Sequence, residues 1–133
     1  MIEINGLWHR AILWEVPLMS IISEVYFKTI HKDWSMEGQD RRARHKQQAM
    51  HEAGCHNADF GTRRRRSYDV QDMVVANMKK FEDSFVGTSN VHLAMKYGVK
   101  SIGTMAHEWV QAHSVLCGLR HANRFALEAW NQV

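Results

Sequence analysis

This sequence is poor in the residues that build special scaffolds. It has one proline and two cysteines, and Cys55 and Cys117 lie far apart and outside any CxxC pair. That excludes a disulfide framework or cysteine-rich zinc site and makes a reduced, cytoplasmic setting the default. With eight glycines besides the single proline, the chain is neither collagen-like nor of low complexity. It also lacks a long uncharged apolar run. Residues 11–30 are the most apolar stretch, but they contain Glu15, Glu24 and Lys28, so they read as a buried helix rather than a membrane span. MIEINGLWHR carries an early acid and no basic segment before an apolar core, and does not read as a signal peptide. What remains is 133 residues with 45% hydrophobic and 23% charged content and a mean hydropathy of −0.41. Those are the proportions of one ordinary globular domain, with no membrane partner expected.

The net charge of +3 is unevenly spread. Residues 41–66 hold eight Lys or Arg, four of them the run Arg63–Arg66, against Glu52 and Asp59, which leaves −3 for the rest of the chain. A local excess of this kind suggests one or two anion contacts, not a general polyanion-binding surface.

Periodicity predicts a helix over 12–29, with Trp14, Leu18, Ile21, Ile22 and Val25 on one buried face and Pro17 in its first turns. MIEI before Asn5-Gly6 looks like the end of a strand and a turn. Residues 35–53 predict a polar surface helix capped by Ser35 or Asp33 and closed by Gly54. From residue 55 an apolar residue precedes Gly-Thr three times, at Phe60-Gly61-Thr62, Val86-Gly87-Thr88 and Ile102-Gly103-Thr104. Helices are predicted over 68–81, with Val70, Met73, Val74, Met78 and Phe81 on one side, over 90–97 before Gly98, and through HEWVQAH. Strand, loop and helix repeated three times make an α/β chain with a parallel sheet. Such sheets place ligands at the C-terminal ends of their strands.

Each Gly-Thr segment carries candidate chemistry. In DFGTRRRRS the glycine allows close backbone approach and the arginines suit phosphate; the plainer alternative is a basic surface loop. In FVGTSNVHLA, Ser89 and Asn90 offer short polar groups at a helix start, as anion contacts or simply as helix caps. In IGTMAHEWVQAH the zinc-protease spacing HExxH is broken by Gln111, so His107 stands as an acid, base or nucleophile, or as a structural histidine.

Taken in order, DFGTRRR with SYDVQDMVV, then FVGTSNVHLA, then GTMAHEW resemble the nicotinate phosphoribosyltransferase family. ILWEVPLMSIISEVYF is similar to the family's helix before the barrel and RFALEAW to the helix after the histidine segment. The resemblance covers most of residues 7–130 and is weakest over 31–58. It implies a partial irregular βα barrel of the type II phosphoribosyltransferase kind, preceded by a helical piece. Residues 1–54 would end the N-terminal domain and its connector, and 55–133 would hold the first βα units.

The reaction it implies joins nicotinate to phosphoribosyl pyrophosphate and forms nicotinate mononucleotide for NAD synthesis. ATP hydrolysis is coupled through a phosphorylated histidine, and Mg2+ accompanies the phosphate substrates. His107 takes the phosphohistidine position, with Glu108 orienting it. By the same resemblance Phe60 would contact the pyridine ring, and Arg63 the carboxylate or a phosphate. It further implies phosphate contacts at Arg64 and Arg65, Ser89 and Asn90 beside the base, and a nicotinate contact at Thr104. No acid follows Thr88, which favours nicotinate over nicotinamide as substrate. A complete βα barrel needs roughly 200 residues or more, so the chain is expected to be an internal fragment, inactive by itself. Its open barrel edge would be met by a second copy in a homodimer or by a complementing chain. The remaining alternative is a non-catalytic basic fragment that binds nucleic acid through Arg63–Arg66, for which no recognised motif speaks.

Overall fold

The computed structural model describes residues 1–132. Two compact units divide the chain, Met1–Ile102 and a shorter one from Gly103 onward.

The first unit begins in exposed coil, where a strand end is expected. A strand needs a hydrogen-bonded neighbour, and among the described residues none runs beside Met1–Ile4. A single turn, α1 (Trp8–Ala11), and a 3-10 turn (Ile12–Trp14) lead into α2 (Glu15–Thr29). Pro17 falls in the first turn of α2, where its missing N–H costs nothing.

The face that α2 buries is not the expected one. Trp14, Ile21, Ile22 and Val25 are exposed, only Leu18 of the five is half-buried, and Ser20 is the buried residue of the helix. The surface facing α2 is the turn at Thr62–Arg64 and the arginines after it, which is polar. Glu15, Ser23 and Glu24 therefore set the helix rotation by bonding to Arg63, Arg65 and Tyr68.

Helix α3 (Gln39–Glu52) starts at Gly38 rather than at Ser35 or Asp33. The Ser35 hydroxyl instead accepts from the Glu37 N–H. Gly54 follows the C-terminal residue Ala53 in a left-handed conformation, as the sequence predicts. Most of α3 is exposed, yet Gln47 is buried; it donates to Ser84 Oγ and accepts from Asn57 Nδ2.

Strands β1 (Asn57–Asp59) and β2 (Phe85–Thr88) pair in parallel through the crossover helix α4 (Tyr68–Lys79). Ser67 caps α4 by accepting from the Val70 N–H at 3.2 Å. The register runs Asn57 to Phe85, Ala58 to Gly87 and Asp59 to Thr88, and skips Val86. Helix α5 (Val91–Tyr97) follows, closed by Gly98 as expected.

The third strand of the sequence reading is reduced to one bridge, Thr88 to Ser101. Thr88 N–H donates to the Lys100 carbonyl and Ile102 N–H to the Thr88 carbonyl, both at 3.1 Å. The α/β class and parallel pairing are present, but this sheet stops at two strands and does not by itself make a partial barrel. Gly87 explains how closely the third segment approaches: its φ is +141°, and a Cβ there would run into the Lys100 carbonyl.

Val75, Phe85 and Leu93 form the buried core, with Tyr68, Met78, Tyr97 and Val99 packed around it. Full burial of each core residue contributes about 1.5–3 kcal/mol. Val70, Met73 and Val74 instead line a pocket of about 470 Å³ between α4 and α3, which Met78 borders as well.

The second unit is a helical hairpin. Helix α6 (His107–Cys117) and helix α7 (Ala122–Trp130) are joined through a 3-10 turn (Leu119–His121). The Trp109 indole donates to the Ala126 carbonyl at 2.9 Å and meets the Trp130 ring edge-on at 6.0 Å.

Candidate active site

The ends of β1 and β2 are joined by a buried polar network. Asp59, Gln71 and Thr88 are all buried. Asp59 Oδ2 accepts from Gln71 Nε2 at 2.8 Å and from the Thr88 hydroxyl at 2.7 Å; its Oδ1 accepts from the Gly61 N–H at 3.0 Å. Thr88 Oγ1 in turn accepts from the Asn90 N–H, and the Ser89 N–H donates to the Asp59 carbonyl. Gln71 reaches further: it donates to Thr62 Oγ1 and accepts from Asn90 Nδ2 and Arg65. A buried carboxylate is tolerable only with its lone pairs filled in this way.

These bonds bring the Phe60–Arg65 turn and the Ser89–Asn90 segment together at the strand ends. Phe60 is about half exposed, so its ring is free to meet a ligand. Asn90 caps α5, with Oδ1 accepting from the Leu93 N–H at 3.1 Å, and its side-chain amide is spent on Gln71. Ser89 is half-buried.

The four consecutive arginines hold four different positions. Arg63 pairs with Glu15 at 2.6 Å, with both side chains partly exposed. Arg64 is exposed, and its guanidinium has no hydrogen-bond or ion-pair partner among the described residues. Arg65 is held by Gln71, by Glu24 at 3.6 Å and by the face of the Tyr68 ring. Arg66 lies between the Phe27 and Trp34 rings, 4.6 Å from each, and donates to the His31 carbonyl. Such stacking suits the flat guanidinium better than an ammonium group.

Glu24 accepts from Lys28, from the Tyr68 N–H and faces Arg65. The Lys28 hydrogen bond is the main reason that its carboxyl is held below the ordinary 4.5, against the opposing effect of burial. Helix α2 thus serves as the back wall of the arginine turn. Met19, Ile22 and Tyr26 of that helix line an open hollow with Arg63 and Arg64. The pocket between α3 and α4 is roomier, but none of Phe60, Arg63, Ser89 or Asn90 lines it.

In the second unit His107 is the first residue of α6. Its side chain is exposed, and Nε2 lies 3.0 Å from Glu108 Oε1. Thr104 is in the exposed segment just before the helix. No group of three or more His, Cys, Asp or Glu is gathered to hold a metal ion among the described residues.

The family model described as the nicotinate phosphoribosyltransferase (NAPRTase) family matches residues 55–133, which contain all of these Gly-Thr segments. The chain belongs to the nicotinate phosphoribosyltransferase family.

The nicotinate phosphoribosyltransferase of Methanosarcina acetivorans is 44% identical over 147 residues, covering 99% of this chain and 36% of the relative. That of Chromohalobacter salexigens is 48% identical over 136 residues, again covering 99% of this chain and 34% of the relative. The crystal structure of nicotinate phosphoribosyltransferase from Porphyromonas gingivalis superposes with a TM-score of 0.87 at 40% identity, over 94% of this chain and 32% of that one. The chain therefore spans about a third of the length of the curated relatives it matches.

Sequence reasoning picked out the segments of this family but missed their anchors. Asp59 counts as a mere charge in the sequence, and Gln71 as a helix residue. One signal was there: Gln71 stands four residues before Val75, an amide on the stripe of α4 that faces inward.

Proposed function

We propose that this chain supplies part of the nicotinate and phosphoribosyl pyrophosphate site of a nicotinate phosphoribosyltransferase. The observation that carries the reading is the Asp59 network, which holds the Phe60–Arg65 turn and the Ser89–Asn90 segment side by side at the strand ends. In this reading β1, β2 and the bridged segment at Ser101 begin a βα barrel that the rest of the relatives' length, outside the matching third, completes.

The nicotinate ring nitrogen attacks the anomeric carbon of the ribose and pyrophosphate leaves, giving nicotinate mononucleotide. Phe60 stacks on the ring. Arg63 and the exposed Arg64 face the carboxylate and the phosphates, where negative charge grows on the leaving group. Arg65, held by Gln71, Glu24 and Tyr68, keeps the turn in shape and adds positive charge behind it. The segment after Thr88 offers the Ser89 hydroxyl and no acid, which suits a carboxylate better than an amide. The phosphate substrates would carry Mg2+ into the site with them, and it would offset their negative charge beside Arg63 and Arg64. His107, exposed at the start of α6, accepts the γ-phosphoryl group of ATP as ADP leaves, and water later releases it as phosphate; Glu108 lies against its Nε2. Two exposed free thiols, Cys55 and Cys117, fit a reducing cytoplasmic setting. No helix among the described residues is long and apolar enough to cross a membrane.

Nucleic-acid binding through the arginine run is the weaker reading. Three of the four guanidiniums are engaged within the chain, so the run offers no continuous basic stripe.

A chimera tests the proposal: this chain replaces the matching third of the Methanosarcina acetivorans relative. The folded chimera is expected to form nicotinate mononucleotide from nicotinate and phosphoribosyl pyrophosphate, faster with ATP, and to prefer nicotinate over nicotinamide. A chimera that folds as the parent does but forms no product overturns it.

A further inference from the structure

The two segments of the proposed site are not independently built. Asp59 ends β1, yet its carboxylate serves three elements: Oδ1 takes the Gly61 N–H of its own turn, while Oδ2 takes Thr88 of β2 and Gln71 of α4. Thr88 then fixes the Asn90 N–H, and Gln71 fixes Thr62, Asn90 and Arg65. Every atom in this chain of bonds belongs to a buried or half-buried residue, and Thr88 is wholly inaccessible. Water cannot easily replace a lost partner there, so a break at one point must be felt by the groups that shared it.

We propose that Asp59 is a positioning residue that sets both segments as one body: through Thr88 and Gln71 it ties the turn bearing Phe60 and Arg63 to the segment bearing Ser89 and Asn90. The proposal rests on the functional reading for its purpose, since one substrate must meet both segments. The coupling itself is a property of this chain.

Thr88→Val is the decisive variant. It keeps the shape of a wholly buried side chain, and removes the hydroxyl that donates to Asp59 and accepts from Asn90. Thr88 makes no hydrogen bond to the Gly61 amide, so that amide, on the other segment, is the reporter. In the 133-residue chain, amide hydrogen exchange followed by NMR should quicken on the order of tenfold at both Asn90 and Gly61. Thr88→Ser, which restores the hydroxyl, should return both to the native rate. Quickening at Asn90 alone, with Gly61 unchanged, would show two independent segments and overturn the proposal.

Gln71→Glu gives a second reading should the valine variant fail to fold. It sets a carboxyl against Asp59 Oδ2, and the pair then shares a proton and titrates. The Gly61 and Asn90 amide shifts should follow one common midpoint; separate midpoints, or a response at one amide only, sink the coupling. Neither measurement uses catalysis. An inactive chimera with intact coupling would remove the functional reading alone, and an active chimera with uncoupled segments would remove only this one.

Discussion

Glu15 and Arg63 meet at 2.6 Å although 48 residues separate them, and their contact pins the start of α2 to the arginine turn. Both side chains are about one-third exposed, at 32% and 39%. Water therefore screens the pair, and its value is set by orientation more than by stability. A double-mutant cycle of Glu15→Ala and Arg63→Ala, read by urea unfolding, should give a coupling of about 0.2–1 kcal/mol that shrinks with added salt. A coupling several times larger, or one indifferent to salt, would contradict this picture of the pair.

Gly87 carries a sharper cost. Its φ of +141° disfavours any side chain, and a Cβ would meet the Lys100 backbone on the edge where Ser101 bridges to Thr88. Gly87→Ala should destabilise the chain by about 2–5 kcal/mol and expose the Thr88 and Ile102 amides to exchange. Gly6→Ala, with no atom within 4 Å of the added carbon, is the control and should change stability by less than about 1 kcal/mol. Equal melting curves for the two variants would refute the close approach at Gly87.

Acid should loosen the joint between α4 and α5. Burial pushes the Asp72 carboxyl up, but hydrogen bonds from Lys96 and Tyr97 outweigh it and leave the group below its ordinary 3.8. A carboxyl lowered by folding adds stability that is present above the unfolded value. That stability is lost as pH falls through 3.8 towards the folded value. Glu24, held below 4.5 chiefly by Lys28, acts in the same direction at the arginine turn. Asp72→Asn should therefore flatten the fall in urea midpoint on the acid side while lowering the midpoint near neutrality. An unchanged acid slope in this variant would remove Asp72 from that role.

How far these features can be read from sequence depends on what kind of interaction makes them. Helices α4 and α5 follow from local signals: apolar spacing marks the body of α4, and Gly98 marks the end of α5. Which face a helix buries is a different matter. The apolar stripe of α2 was plain, but the helix docks by Glu15, Ser23 and Glu24, whose partners lie more than 40 residues away. No periodicity encodes such a pairing. Arg63–Arg66 look alike in sequence and become distinct only when Glu15, Gln71, Phe27 and Trp34 arrive beside them. Asp59 was unreadable as an anchor because nothing local says that its carboxylate will be buried. The third segment shows the converse: Ile102-Gly103-Thr104 matches the other two in letters, but only Ser101 before it pairs with the sheet.

His107 begins α6 with its side chain 63% exposed, so a phosphate donor can reach it, and Glu108 Oε1 lies 3.0 Å from Nε2. The carboxylate can hold one ring nitrogen as a donor and leave the other as the basic, attacking one. Phosphate accepted on that nitrogen would sit at the first turn of α6, where unpaired N–H groups favour added negative charge. Asparagine keeps polarity and approximate size but has no nitrogen able to take the group. In the chimera, His107→Asn should abolish acid-labile label from γ-labelled ATP and remove ATP stimulation, while leaving the slower ATP-independent transfer to nicotinate. Glu108→Gln should reduce labelling without abolishing it, because orientation is weakened and the nucleophile stays. Undiminished labelling of the asparagine variant would take the phosphoryl group away from His107, and equal loss of basal and ATP-stimulated turnover would place the histidine in the glycosyl step instead.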